Sequence, residues 1–308
     1  NSIVTGEEWI YQINWEGIRG RNYCLKDDSI YPIRIFTKNR RERTQYYPEL
    51  HSIKDLIVGN SAVLDGELIV LGDDNKPSFQ LSLIRERIQN VTALQYYINK
   101  YPVIYVVFDI LYYNGSVLIE MSLRKRQEIL NNCLMSGSNI TIAENYKDGF
   151  GLLDIMEKKG WEGIVSKKIN SKYYPGKNHN EWFKHKISRK ILAAVCGVNW
   201  KNDSPYSLLL GILKENQWIY IGRVSSGLSQ KDWQIIKEYA VKYKKEECPF
   251  NKTVAWEKQQ VTWLTPSLTC WVAFLEWTND GVLRNPRIIG FSNKSVEEAN
   301  GKECPIDE

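Results

Sequence analysis

The chain has 308 residues, with 41 Lys and Arg against 36 Asp and Glu and a formal charge of +5. Its hydrophobic fraction of 43% and charged fraction of 25% exclude an intrinsically disordered chain, a collagen and a disulfide-stapled mini-protein. The mild basic excess permits a polyanion partner without demanding one.

At about 150 residues per domain, the length predicts two domains. In the first half, segments 9–14, 33–37, 62–71 and 103–112 read as strands, rich in Val, Ile and aromatic residues. Segments 78–90 and 122–134 read as helices. The second of these mixes polarity at Leu123, Arg126, Gln127 and Leu130, which predicts a surface helix. Segment 148–159 carries Leu152, Leu153, Ile155 and Met156 at helical spacing, with Gly160 as a stop, and 163–168 returns as a strand. In the second half, 207–213 and 218–224 flank a turn and predict a hairpin. Ser229 caps a helix reaching about residue 245, with Trp233, Ile236, Tyr239, Ala240 and Tyr243 on one face. Segments 262–264 and 269–278 are further strands. Several short strands with one helix suggest a small Greek-key barrel such as an OB-fold. The boundary is expected after the basic run Lys184–Lys186.

The longest apolar stretch, near residues 105–113, contains Asp109, so no membrane span fits, and no secretory signal is seen at the start. Six cysteines lie far apart without a C-x-x-C pair, which argues against zinc ribbons and for reduced thiols. Three histidines, His51, His179 and His185, are too scattered for a histidine metal site.

Four constellations stand out. They are Asn14-Trp15-Glu16-Gly17-Ile18-Arg19, Leu64-Asp65-Gly66-Glu67-Leu68, Val107-Phe108-Asp109-Ile110-Leu111, and Glu162-Gly163-Ile164-Val165-Ser166-Lys167 followed by Trp182-Phe183-Lys184-His185-Lys186. Each alone is weak; their order and spacing are specific. In that order they resemble the nucleotidyltransferase motifs of ATP-dependent DNA ligases. The 277–291 segment, with Arg284, Pro286 and Arg287, is similar to the closing segment of the bacterial end-joining ligases of the ligase D type. Tyr173-Tyr174-Pro175-Gly176 and Thr37-Lys38-Asn39-Arg40 fit the same group.

The resemblance implies an α+β chain. A nucleotidyltransferase (adenylation) domain at 1–187 is followed by an OB-fold β-barrel domain at 188–308. It also implies a three-step reaction: a motif lysine takes AMP from ATP, AMP passes to a 5′-phosphate on nicked DNA, and the 3′-hydroxyl displaces AMP. Positioning, cations and a divalent metal dominate such phosphoryl transfer. Glu67 and Glu162 are hard oxygen ligands suited to Mg²⁺ or Mn²⁺ held partly by phosphates. Phe108 is the adenine-stacking position, and Lys167 matches a further phosphate-facing lysine. Lys184 and Lys186, two apart on a strand, share a face and would neutralise phosphate charge. Gln12, Ile13 and Arg19 complete the nucleotide pocket. Lys38, Arg284 and Arg287 are expected at DNA phosphates, with Lys201, Lys214, Arg223 and Lys231 as further phosphate contacts. Out of this context each residue has an ordinary reading: strand phenylalanines are usually core, and paired lysines a solvated face.

The expected partners are nicked or broken duplex DNA and a DNA-end-binding protein such as Ku. The expected setting is a cytoplasmic, nucleoid-associated bacterial monomer without a membrane association.

One departure changes the chemistry. Asn14 stands where the family has its nucleophilic lysine. An amide nitrogen shares its lone pair with the carbonyl and does not attack a phosphoanhydride. Glu16 replaces an aspartate, and Gln12 an acid near the adenine. No nearby lysine stands out in the sequence as a substitute. Loss of self-adenylylation is therefore expected, with retained binding of ATP or AMP. A non-catalytic DNA-end-binding scaffold and an RNA-ligase or capping-type enzyme are the alternatives.

Overall fold

The computed structural model describes residues 3–305 apart from Ser29, Asn39, Asn178, residues 251–259 and Asn279. Asn39 and Asn279, which belong to two of the motif segments, therefore lie outside the described residues. The chain divides into two compact units, Asn1–Ile187 and Ser188–Glu308.

Two sheets build the first unit. The larger runs Ile33–Thr37, Ile18–Leu25, Ser61–Ile69, Ile104–Tyr113 and Ser116–Val117, with Ile140–Ile142 parallel to the fourth of these. Its apolar face, including Ile35, Leu64, Leu68, Tyr105, Val107 and Ile110, packs against Leu50, Ile53, Leu130 and Leu134. The smaller sheet is antiparallel, in the order Trp9–Ile13, Gly163–Lys168, Trp182–Lys186. The helix Gly149–Lys159 covers its Tyr11 and Ile164 through Leu152 and Met156. Asp148 caps that helix by accepting from the Gly151 amide at 3.0 Å, and Gly160 ends it at φ 67°.

Two elements differ from the sequence expectation. Helix Leu123–Cys133 is no surface helix on its polar-looking face: Leu123, Arg126, Gln127 and Leu130 are all buried. Arg126 is tolerated there because Asp109 neutralises it and takes two of its donors, at 2.8 and 2.9 Å. Strand Ile18–Leu25 was not anticipated. Its buried positions are Gly20, Asn22 and Cys24, so the alternation exists in burial but not in hydrophobicity.

The second unit is organised on Arg189–Lys201, whose residues 191–199 are buried without alternation. A strand covered on both faces reads as a continuous apolar run, which hides its period. It pairs antiparallel with Ser204–Lys214, Gln260–Leu264, Thr269–Phe274 and Glu303–Pro305. The expected hairpin joins Ser204–Lys214 to Gln217–Val224. Glu215 and Asn216 in its two-residue turn have φ of 49° and 59°, as a tight right-twisted hairpin requires. Helix Gln230–Lys242 opens with a Ser229–Asp232 capping box and packs Trp233, Ile236, Tyr239 and Ala240 onto the sheet. All six cysteines are free, four of them buried. Among the described residues no helix is long and apolar enough to cross a membrane.

Candidate active site

The two sheets of the first unit hold a cavity between them. From the small sheet come Gln12, Ile13, Val165, Lys167, Trp182 and Lys184, with Asn14 and Trp15 following its first strand; from the large sheet come Arg19, Glu67 and Phe108. Eight residues expected at a nucleotide, Gln12, Ile13, Asn14, Arg19, Glu67, Phe108, Lys167 and Lys184, are thus brought together from distant parts of the sequence. The pairing explains the register. Asn14 leaves the strand just beyond the Ile13–Ile164 pair, and its backbone N–H donates to the Gly163 carbonyl at 2.9 Å. Val165 and Lys167, two apart on the neighbouring strand, share one face.

Each polar group has a definite setting. Arg19 donates from Nε and Nη2 to the two oxygens of Asp65, at 3.1 and 2.6 Å. Asp65 also accepts from the Tyr173 hydroxyl at 2.6 Å. The guanidinium therefore stands locked 5.5 Å from the centre of the Phe108 ring. Gln12 is buried and donates through Nε2 to Asn145 Oδ1 at 2.7 Å. Burial pushes the Glu67 carboxyl up to about 8, against the pull of Lys184 and Arg19. Burial likewise pushes the Lys167 ammonium down to about 7, although Asp109 and Asp65 favour its charge. Its Nζ lies 4.5 Å from the Phe108 ring centre and 4.3 Å from that of Trp182, with no carboxylate or carbonyl partner among the described residues.

Other expected residues stand outside the cavity. Lys186 forms an ion pair with Glu162, and neither lines the cavity. The two lysines expected on one pocket therefore differ in setting: Lys184 lines the cavity and Lys186 is held by a carboxylate outside it. The neighbouring strand sets this, because Lys186 lies opposite Gly163, next to Glu162. Glu162 remains an electrostatic neighbour of Glu67. Glu16 is half-buried and is not among the lining residues. Among the described residues no cluster of three or more His, Cys, Asp or Glu gathers that could hold a metal by protein ligands alone. A hard cation at Glu67 would have to share its coordination with phosphate oxygens, as Mg²⁺ commonly does.

Lys38 lines a second, larger recess of about 490 Å³ that shares Arg19 and Trp182 with the first. Arg21, Arg40, Lys177, Tyr174 and His179 also line it, and among the described residues no carboxylate does. Only Lys38 and Arg19 of this basic set were singled out in the sequence. Arg40 closes the 37–40 segment and Arg21 follows the first constellation, but nothing in a linear pattern shows that they converge. In the second unit, Arg284 pairs with Glu276 at 2.5 Å, and Arg287 is exposed on the strand Arg287–Ser292. Lys201, Lys214, Arg223 and Lys231 are exposed as well.

The ATP dependent DNA ligase domain profile matches residues 2–186, and the ATP dependent DNA ligase C terminal region matches residues 201–294. The chain is similar to the multifunctional non-homologous end joining DNA repair protein LigD of Mycobacterium tuberculosis, with 28% identity over 287 residues, 91% of this chain and 36% of that protein. It is similar to LigD of Pseudomonas aeruginosa, with 27% identity over 310 residues, 96% of this chain and 35% of that protein. The chain thus spans about a third of the length of these curated relatives. The structure of mycobacterial DNA ligase D complexed with ATP and MES matches with a TM-score of 0.52 at 27% identity, covering 96% of this chain and 93% of that one. A Lig E DNA ligase matches in fold with a TM-score of 0.61 at 16% identity, covering 94% of each chain.

Proposed function

Because the chain belongs to the ATP-dependent DNA ligase family, we propose that it is a strand-sealing module that acts on nicked or broken duplex DNA already carrying a 5′-AMP. The observation that carries this reading is the cavity itself, which gathers Gln12, Ile13, Arg19, Glu67, Phe108, Lys167 and Lys184 around position 14 and leaves Lys186 outside. Phe108 offers the flat face for adenine. Lys167 sits against that face, which supports a role beside the base as well as the phosphate-facing one that the motif implies. Lys184 and Arg19 offer positive charge for the phosphates, Arg19 with its fork pre-aimed by Asp65. Glu67, next to Glu162, is the donor for Mg²⁺ or Mn²⁺, which would neutralise phosphate charge. Burial holds its carboxyl up at about 8 despite Lys184 and Arg19, and a bound cation would favour the carboxylate form.

Position 14 removes the first step of the family's reaction and not the last. In the last step the 3′-hydroxyl oxygen attacks the 5′-phosphorus, the bond to AMP breaks, and no protein nucleophile takes part. The basic recess beside the cavity suits the backbone of the 5′-phosphate strand, and binding through it would be insensitive to sequence and weakened by salt. We extend the reading to double-strand break repair beside a DNA-end-binding protein such as Ku, with the module monomeric and cytoplasmic.

The test is sealing of a 5′-adenylylated nick with Mg²⁺ and no ATP. Sealed product supports the reading. A nick that is bound but never sealed would favour a non-catalytic end-binding scaffold, the second reading that Asn14 itself suggests.

A further inference from the structure

The basic recess is built in part by a turn that begins where the strand Ile33–Thr37 ends and carries Lys38 and Arg40 into it. Both side chains are exposed. The turn is tight: the backbone N–H of Arg40 donates to the Thr37 carbonyl at 2.9 Å, that of Thr37 to the Arg41 carbonyl at 3.0 Å, and that of Arg43 to the Ile35 carbonyl at 2.8 Å. Arg40 stands at φ 59°, in the left-handed region that a residue with a side chain occupies only where its surroundings hold it. Lys38, Arg40, Arg41 and Arg43 are crowded together here, so mutual repulsion also works against the turn.

One carboxylate meets both ends of this turn. Glu86, on the helix Phe79–Arg87, is 7% exposed. Its Oε1 accepts from the Thr37 hydroxyl at 3.1 Å. Its Oε2 accepts from the Tyr47 hydroxyl at 3.0 Å and lies 3.4 Å from Arg43 Nε. Thr37 and Arg43 are buried as well, and Arg43 donates through Nη2 to the Ile88 carbonyl at 2.7 Å. A buried carboxylate is costly unless it is paired and hydrogen-bonded, so Glu86 is fixed by these partners and fixes them in turn.

We propose that Glu86 is a positioning residue for DNA: by holding Thr37 and Arg43 at the two ends of the turn, it aims Lys38 and Arg40 at phosphates of the nicked strand. This rests on the ligase reading above, which puts the DNA backbone at the basic recess. Charge alone would give Glu86 the opposite effect. A carboxylate near a polyanion weakens binding, so removing it tightens binding unless the carboxylate is organising the cations. The sign of the change separates the two.

The experiment measures affinity for a fluorescent nicked duplex with a 5′-phosphate, in EDTA, over a series of salt concentrations. The proteins are the wild type, Glu86→Leu, Thr37→Val, and the paired change Lys38→Ala with Arg40→Ala, each assayed below its melting temperature. Each lost phosphate contact lowers the steepness of log affinity against log salt by about one, so the paired change is expected to lower it by about two. Glu86→Leu is expected to bind more weakly and to lower the steepness by about one to two. Added to the paired change, it is expected to lower it no further. Thr37→Val keeps the side-chain shape and the Glu86–Arg43 pair and cuts only the first tether, so it is expected to move in the same direction by less.

Tighter binding by Glu86→Leu at the wild-type steepness overturns the inference, because the carboxylate then acts only as a charge. So does a Thr37→Val variant with wild-type affinity and steepness, and this arm decides the matter where Glu86→Leu does not fold. A Glu86→Leu loss that adds in full to that of the paired change also overturns it, since the loss then comes from elsewhere. A wild type whose binding ignores salt, or a paired variant with the wild-type steepness, would instead sink the placement of DNA at the recess.

Discussion

Arg126 and Asp109 form a two-pronged ion pair with neither side chain exposed to solvent, Nε donating at 2.8 Å and Nη2 at 2.9 Å to the two carboxylate oxygens. The remaining arm, Nη1, donates to the carbonyls of Met121 at 2.5 Å and Ser171 at 3.1 Å. Asp109 follows Phe108 on its strand, and Ser171 lies two residues before Tyr173, which holds Asp65 and Arg19. The pair thus fastens the back of the cavity to the helix Leu123–Cys133.

Removing one partner leaves a buried charge uncompensated. Arg126→Met is expected to cost about 3–5 kcal/mol, read as a lower urea midpoint. A double variant, Arg126→Met with Asp109→Leu, should recover part of that loss. Equal destabilisation by the single and the double variant would sink the idea that the orphaned charge is the cause.

Gly163 sits at φ 131°, and a Cβ there would lie 2.0 Å from the His185 carbonyl oxygen. Both the conformation and the contact with the neighbouring strand exclude a side chain. Gly163→Ala is expected to lower stability by more than about 1 kcal/mol and to weaken nucleotide binding by moving Asn14, whose backbone N–H bonds the Gly163 carbonyl. An alanine variant with unchanged melting temperature would contradict this.

Lys167 titrates near 7 in the folded chain against an ordinary value of 10.5. Between those values the unfolded chain holds one more proton than the folded one, so stability rises with pH across that window. The contribution is complete above the unfolded value and lost as pH falls through 7. Lys167→Met should flatten the rise, visible as a smaller difference between urea midpoints at pH 6.5 and pH 9. Parallel curves for the two proteins would rule the lysine out as the source.

Lys184 and Lys186 are expected to separate in function. Lys184→Ala removes a cation of the cavity and should weaken metal-free ATP binding roughly tenfold, the scale of a charged hydrogen bond. Lys186 is occupied by Glu162, so Lys186→Ala should change that affinity by no more than about twofold and act instead on metal dependence. Calorimetric titrations with and without Mg²⁺ decide it. An equal loss in the two variants without metal would show that both lysines reach the phosphates.

Asn14→Lys restores the amine that the family uses. Incubation with ATP and Mg²⁺ should then add one AMP to the intact mass. If no adduct forms while the variant still binds ATP, another departure such as Glu16 or Gln12 is also blocking the first step.

Much of this protein is written in local order. Motif segments around Asn14, Glu67, Phe108, Glu162 and Lys184 lie on strands or at their ends, where short-range pattern is strong. Helix stops such as Gly160 and caps such as Asp148 act within a few residues, so they are readable without a fold. The same holds for the position-14 substitution, which is a matter of residue type alone. Long-range pairing decided the rest. The strand Ile18–Leu25 buries Gly20, Asn22 and Cys24, and Arg189–Lys201 is covered on both faces, so neither carries the hydrophobic alternation that marks a strand. Arg126 looks like a surface residue until Asp109, seventeen positions away, is brought against it. The partner of Lys186, the grip of Glu86 on Thr37 and Arg43, and the convergence of Arg21, Arg40 and Lys177 are likewise tertiary facts. Charge and hydrogen bonding depend on distance in space, and only the sheet registers set those distances.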